Sequence, residues 1–255
     1  MTTTEFADYA HYYDLLYKDK DYLNECFYIR NLINKHGEGE SVNILELGCG
    51  TGNHAINFSG IGYHVTGVDL SEQMIKEAKK KSEGNSNVEF FVGDTVELDL
   101  KKEFDVVLSL FHVMSYQKNH AALRSSLSAA ADHLRQKGLL IFDFWYGPGV
   151  LKDPPQDRTK QVEDEDVIVT RKATPNLFIN QNLVNVHYEL SIENKKTGET
   201  SFLEETHRVR YLFLPEIEYF LMDVGLELLD ILSWMELDKE PDADSWYACV
   251  IAKKP

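Results

Sequence analysis

The sequence predicts an α/β protein: a parallel sheet with helices on both faces. Three observations carry the prediction. The first is the stretch Asn43-Ile44-Leu45-Glu46-Leu47-Gly48-Cys49-Gly50-Thr51-Gly52, where an apolar run broken by one acid leads into three alternate glycines. Such a run reads as a buried strand, and the glycines as a tight turn where a ligand approaches the backbone closely. The second is a pair of further β runs that each end on an acid, His64 to Asp69 and Val88 to Asp94. The third is the regular alternation of β runs with helical segments as far as Phe144, the pattern of βαβ units.

Taken in order, residues 5 to 17 are aromatic-rich and read as a helix containing Tyr12, Tyr13 and Tyr17. A second helix is expected from Tyr22 to Lys35. It has Tyr22, Cys26, Ile29 and Ile33 on one face, Asp19 or Asp21 as a cap and Gly37 at its end. The glycine stretch follows, and Asn53 to Gly60 suits a short helix. A strand, a glycine turn and a helix N-terminus together make a dinucleotide-type ligand site. The nicotinamide fingerprint G-x-G-x-x-G fits poorly, because Asn53 stands where the third glycine should fall; only a looser form ending at Ala55 is available.

Asp69 closes the second strand 23 positions after Glu46, near the place of a carboxylate that grips a ribose. Ser71 caps the next helix, with Glu72 in its first turn and Lys79 to Lys81 in its last, as the helix dipole favours. Val88 to Val92, Phe104 to Phe111 and Leu139 to Phe144 read as strands three to five, and Asn119 to Gln136 as an amphipathic helix stopped by Gly138. Beyond Trp145 the pattern changes. Gly147-Pro148-Gly149 and Asp153-Pro154-Pro155 break the chain, and period-two alternation through Val167–Arg171, Leu183–Glu193 and Phe202–Leu212 reads as an antiparallel meander. Pro215 to Asp223 resumes as a helix. Leu226 to Ser233 and Ser245 to Lys253 form two last strands, whose connection is too short for a helical crossover. The expected organisation is therefore a core over 1–145, a β insertion over 146–213, and a closing helix and hairpin over 214–255.

Composition narrows the function. The chain has 255 residues, and 42 acids against 26 lysines and arginines give a formal charge of −16. A surface of that sign disfavours extended nucleic-acid binding, although a small phosphorylated substrate needs only a local basic cluster. Three widely spaced cysteines, Cys26, Cys49 and Cys249, suggest neither a disulfide framework nor a metal knuckle; no metal is expected, and a reducing cytoplasm fits. No apolar run is long enough to span a membrane.

Glu46-x-Gly48-x-Gly50-x-Gly52, Val68-Asp69-Leu70-Ser71 and Gly93-Asp94 together resemble the class I S-adenosylmethionine (SAM) methyltransferases. The resemblance covers nearly the whole chain. It implies a Rossmann-like seven-stranded sheet in the order 3-2-1-4-5-7-6, with strand 7 antiparallel and the β insertion after strand 5. It also implies SAM as cofactor, with S-adenosylhomocysteine (SAH) as product. On this match Glu46 belongs to the cofactor site, the stretch Gly48 to Gly52 (with Cys49 and Gly50) holds the methionine part, and Asp69 holds the ribose. Leu70 and Met74 lie near the adenine, Asp94 and Thr95 address its amino edge, and Ser109, Leu110 and Phe111 run beneath the sulfonium.

Tyr12-Tyr13-Asp14-x-x-Tyr17, Lys20-Asp21-Tyr22 and the insertion further resemble the N-methyltransferases of dTDP-linked amino-deoxysugars. There the insertion roofs the active site and often contributes to a dimer. The stretch Phe111 to Tyr116 departs from the macrolide-sugar dimethyltransferases, which leaves the base and the number of methyls open. His112 suits a general base, as a histidine titrates near neutrality; a loop histidine that only packs or caps a helix would look the same. Tyr116 suits a hydrogen bond to the amine, and Tyr13 closure above it. Tyr17, Tyr22, Arg171, Arg208 and Arg210 are the candidates for holding substrate. Arg208 and Arg210 share one strand face that suits a diphosphate, or they are solvated residues paired with Glu204 and Glu205. The alternatives to an amino-sugar enzyme are N- or O-methylation of another small metabolite, and a SAM-binding protein without transfer activity.

Overall fold

The computed structural model describes residues 10–39 and 42–255. Two helices open the described chain, α1 (Ala10–Leu16) and α2 (Tyr22–His36). The expected first helix began at residue 5, and its first five positions lie outside the described residues. Asp21 caps α2, its side chain accepting from the Asn24 N–H at 3.0 Å, and the Gly37 N–H closes the other end on Ile33 O. Cys26, Ile29 and Ile33 form the buried stripe that their spacing requires.

Strand β1 (Asn43–Leu47) is buried from Ile44 onward, as expected of a strand covered on both faces. Helix α3 (Asn53–Gly60), strand β2 (His64–Asp69), helix α4 (Glu72–Lys81), strand β3 (Val88–Val92) and strand β4 (Phe104–Ser109) complete the first half. Ser71 caps α4 by accepting from the Met74 N–H. Helix α5 (His120–Asp132) and strand β5 (Leu134–Tyr146) follow. Here the sequence expectation is corrected. The helix ends four residues before Gln136, and β5 starts at Leu134, which pairs with Phe104 across a register shift. Gly138 does not stop the helix. It lies inside the strand, where a Cβ would stand 3.0 Å from the Asp105 carbonyl oxygen.

The breaks after Trp145 hide two elements. Gly147–Lys152 is a short helix, α6, with Pro148 in its first turn, where a missing N–H costs nothing. Strand β6 (Arg158–Glu163) then opens an antiparallel sheet continued by β7 (Val167–Phe178), β8 (Leu183–Asn194) and β9 (Thr200–Leu212). Pro175 is tolerated within β7 because β6 pairs only as far as Ala173, so its missing N–H faces an edge. Helix α7 (Leu214–Asp223) and strands β10 (Glu227–Ser233) and β11 (Tyr247–Lys253) return to the core.

Core strands run β3-β2-β1-β4-β5-β11-β10, with β11 antiparallel to both neighbours. Counted without the insertion, this is the order 3-2-1-4-5-7-6. One face buries Leu45, Leu47, Val107, Phe142 and Val250 under Leu123 and Leu127 of α5 and Ile217 and Leu221 of α7. The other buries Ile44, Val65, Val106 and Ile141 under Ile29 of α2, Phe58 of α3 and Ile75 of α4. Burial of this continuous apolar area is the main stabilising term. The insertion joins the core where Trp145 and Tyr146 pair with Tyr211 and Leu212. Helix α1 packs against the insertion: Leu16 is buried among Val162, Val169, Leu190 and Ile192. Among the described residues no helix is long and apolar enough to cross a membrane.

Candidate active site

Parallel strands deliver their carboxyl ends to one edge of the sheet, and the site forms there. One cavity of about 860 Å³ runs from the glycine turn after β1 to the inner face of the insertion. Glu46, Gly48, Cys49, Gly50, Asp69, Leu70, Met74, Asp94, Thr95 and Leu110 line its core end. The turn is held by the Gly48 and Cys49 N–H groups donating to Val68 O. Gly48, Gly50 and Gly52 all have positive φ. A Cβ on Gly48 would stand 2.5 Å from Val113, whereas Gly50 has nothing within 4 Å of that position. Gly52 and Ser109 do not reach the cavity. Gly52 lets Phe90 pack close, with a Cβ position 2.5 Å from its ring, and Ser109 is wholly buried in β4.

The two strand-end acids differ. Asp69 accepts the Gly50 N–H on one oxygen and the Ser71 N–H on the other, both at 2.8 Å. Burial pushes its carboxyl up, against those two hydrogen bonds. Each oxygen keeps a second lone pair, so ribose hydroxyls can still bind. Asp94 is exposed and accepts the Val96 N–H, while the Thr95 hydroxyl is engaged with Ser126 Oγ at 3.1 Å.

Glu46 is buried, and its Oε2 has no hydrogen-bond partner. Its Oε1 lies 3.6 Å from His54 Nδ1, and His54 Nε2 lies 2.7 Å from Glu25 Oε2. Lys20 forms an ion pair with Glu25. Burial alone would lower the His54 imidazole, but Glu25 and Glu46 outweigh it and push it up to about 9. Burial likewise opposes ionisation of Glu25, yet His54 and Lys20 bring it below the usual carboxylate range. An unpartnered buried carboxylate oxygen on a cavity wall fits a ligand ammonium, such as that of a methionine.

Above the glycine turn, Asp14 staples α1 in place. It accepts from Thr51 Oγ1 at 2.6 Å and Asn53 Nδ2 at 2.9 Å, and pairs with Lys81 at 2.7 Å. Tyr13 and Tyr17 thereby line the cavity, joined by Tyr22 at the start of α2. Tyr13 and Tyr17 both set their rings edge-on to Phe111.

The backbone after β4 is unusual: Phe111 and His112 both have positive φ, 62° and 65°. Non-glycine residues in that region are strained and cluster at functional sites. The strain is held by the wholly buried Asp143 of β5, whose two carboxylate oxygens each lie 3.2 Å from the His112 backbone N. Asp143 Oδ2 also lies 2.5 Å from His112 Nδ1, a close approach whose angle is not that of a hydrogen bond, and the imidazole stacks on Tyr247 at 4.5 Å. The 3-10 turn Val113–Tyr116 then brings Tyr116 to the cavity.

The insertion supplies the opposite wall. Its register places Arg158, Arg171, Ala173, Tyr188 and His207 on one face, and all five line the cavity. Arg171 lies over the rings of Tyr17 and Tyr188 and donates to the Tyr17 hydroxyl at 3.1 Å. The basic face expected at Arg208 and Arg210 is corrected. Strand side chains alternate, so with His207 facing inward Arg208 faces out; Arg210 is buried against Glu216 of α7 at 2.7 Å. Neither lines the cavity. His207 had no place among the sequence candidates, yet it contacts the Tyr116 hydroxyl through Nδ1 at 3.1 Å and Glu205 Oε2 through Nε2 at 2.9 Å. Arg158 was also missed.

Residues 44–138 match a family model described as a methyltransferase domain. That match runs from β1 to the start of β5, including the glycine turn and both strand-end acids. The chain is a class I SAM-dependent methyltransferase. Its cofactor is SAM. The dTDP-3-amino-3,6-dideoxy-alpha-D-glucopyranose N,N-dimethyltransferase of Streptomyces fradiae is 26% identical over 228 residues, covering 87% of this chain and 86% of that enzyme. The dTDP-3-amino-3,4,6-trideoxy-alpha-D-glucopyranose N,N-dimethyltransferase of Streptomyces venezuelae is 30% identical over 149 residues, 58% of this methyltransferase and 61% of that one. In fold, the methyltransferase is similar to Streptomyces venezuelae DesVI, with a TM-score of 0.80 at 22% identity over 96% of this chain and 98% of that one.

Proposed function

We propose that this methyltransferase N-methylates the amino group of a nucleotide-linked sugar of the dTDP type. When bound, SAM supplies an electrophilic methyl group on its sulfonium. Glu46 Oε2 receives the amino group of its methionine end, Asp69 the ribose hydroxyls, and Leu70, Met74 and Asp94 surround the base. The Asp14 staple keeps α1 over the glycine turn, which limits water at the sulfonium.

Asp143 defines the chemistry of His112. A neutral imidazole beside a carboxylate carries its proton on the nitrogen that faces it, here Nδ1, so the opposite Nε2 is the basic atom. His112 then takes a proton from the acceptor as the N–CH3 bond forms. Tyr116 hydrogen-bonds the acceptor group, and Tyr13 closes the site from α1. Arg158 and Arg171, with Tyr17 and Tyr188, form a cationic and aromatic wall suited to a nucleoside diphosphate. The observation that carries the reading is this wall, set across the cavity from the glycine turn, in a chain whose charge is −16. The named activities of the two relatives support it.

The His112–Asp143 pair also favours a second reading, methylation of a hydroxyl on another small metabolite. An amine needs little help to lose a proton, whereas a hydroxyl needs a base. Incubation with SAM and a dTDP-linked 3-amino-deoxysugar, followed by mass spectrometry, tests the choice. The expected product carries one or two added methyls on nitrogen. No transfer to amino-sugar nucleotides, alongside transfer to a hydroxyl acceptor, overturns the first reading.

A further inference from the structure

The chain Lys20–Glu25–His54–Glu46 joins the α1–α2 connection, α2, α3 and the end of β1. His54 is 5% exposed and Glu46 1% exposed. Charged groups so deep in a protein are costly unless each is paired. Three of the four pair among themselves: Lys20 with Glu25, and Glu25 with His54. Glu46 receives only the 3.6 Å approach of His54 Nδ1 to Oε1, which leaves Oε2 without a partner on the cavity wall. Tyr22 sets its ring edge-on to the imidazole at 4.9 Å. The Lys20 ammonium lies over the Phe111 ring at 4.5 Å, next to the strained His112.

We propose that His54 is a positioning residue for the cofactor: clamped between Glu25 and Glu46, its imidazolium holds the Glu46 carboxylate with Oε2 turned toward the amino group of SAM or SAH. This rests on the reading that Glu46 receives that amino group. The upward push on the imidazole to about 9 keeps it cationic at neutral pH. Without the cation, Glu25 and Glu46 would be two buried carboxylates facing one another, and Glu46 would have neither a partner nor a fixed orientation. Glu25, in turn, sets the imidazole. Its carboxylate accepts a hydrogen bond from Nε2–H and leaves Nδ1–H directed to Glu46.

The test compares two ligands that differ only at the amino acid end: SAH, and methylthioadenosine, which lacks the amino acid. Calorimetry at pH 8 on purified protein is expected to show that His54→Gln weakens SAH by about tenfold or more while methylthioadenosine changes by less than about twofold. Glu25→Gln, which keeps a polar contact but removes the charge, is expected to weaken SAH selectively by a smaller factor. If Glu46→Gln leaves SAH unchanged, the reading of Glu46 fails. If Glu46→Gln weakens SAH and His54→Gln does not, the role of His54 alone is overturned. An equal loss for both ligands in His54→Gln makes the histidine structural only and also overturns it. Methylthioadenosine binding doubles as a folding check; if His54→Gln does not fold, Glu25→Gln decides, and unchanged SAH affinity there sinks the proposal.

Discussion

His112 Nδ1 lies 2.5 Å from Asp143 Oδ2, and the same carboxylate faces the His112 backbone N–H at 3.2 Å. One buried acid from β5 thus holds the left-handed backbone of His112, three residues past β4, and stands against its ring. His112→Ala is expected to lower kcat for the amino-sugar acceptor by roughly tenfold or more with SAM binding retained. Asp143→Asn should also lower kcat, since an amide can present a donor to Nδ1 and select the wrong tautomer. Rates together with calorimetric SAM affinity check both, and unchanged turnover in His112→Ala would remove its role as base.

A second relay enters from the insertion. Glu205 faces His207 Nε2 at 2.9 Å, and His207 Nδ1 faces the Tyr116 hydroxyl at 3.1 Å. A carboxylate at Nε2 leaves Nδ1 to accept, so the Tyr116 hydroxyl donates to it and its oxygen is oriented as an acceptor for a substrate N–H. Groups that act as one unit are non-additive. Tyr116→Phe and His207→Gln should each reduce kcat severalfold, and the double variant should be no worse than the poorer single one. A steady-state double-mutant cycle measures this; additive losses would mean two independent roles.

Much of the core was legible in sequence because parallel strands buried on both faces leave apolar runs, as in Val106-Val107-Leu108, and because glycines and strand-end acids mark the ligand edge. What stayed hidden needed contacts across elements. Leu134 matches the helical spacing of Leu123 and Leu127, and only its pairing with Phe104 makes it the start of a strand. Alternation put His207 and Arg208 on opposite faces but could not say which face was covered. Arg208 was therefore favoured over the histidine that lines the cavity. Asp14 lay inside the tyrosine motif with no assigned role, although Thr51 and Asn53 make it the staple of α1.

The four arginines separate by experiment. Arg171 and Arg158 line the cavity, Arg208 faces outward, and Arg210 is 5% exposed beside Glu216. Arg171→Ala and Arg158→Ala should each weaken dTDP binding by about tenfold, the scale of one charge-assisted contact. Arg208→Ala should leave it unchanged. Arg210→Ala should instead cost about 3 kcal/mol of stability, because it leaves the Glu216 carboxylate partly buried without its cation. Calorimetry with dTDP and urea unfolding read the two effects separately. Loss of dTDP affinity in Arg208→Ala would contradict the assigned register.

His54 also predicts how stability depends on pH. Its imidazole is raised from 6.5 to about 9 in the folded chain. A basic group with a raised value binds its proton more tightly when folded, so its contribution is complete below about 6.5 and disappears as pH climbs to about 9. A rise of that size corresponds to at most about 3 kcal/mol. The lowered Glu25 acts in the opposite direction and only in acid, where its protonation removes stability as pH falls. The ligand-free protein should therefore lose Tm steadily between pH 6.5 and 9. In His54→Gln, which is expected to be less stable at pH 6.5, that slope should be largely absent. Calorimetric melts of both proteins across this range make the comparison, and parallel slopes would show that another group carries the pH dependence.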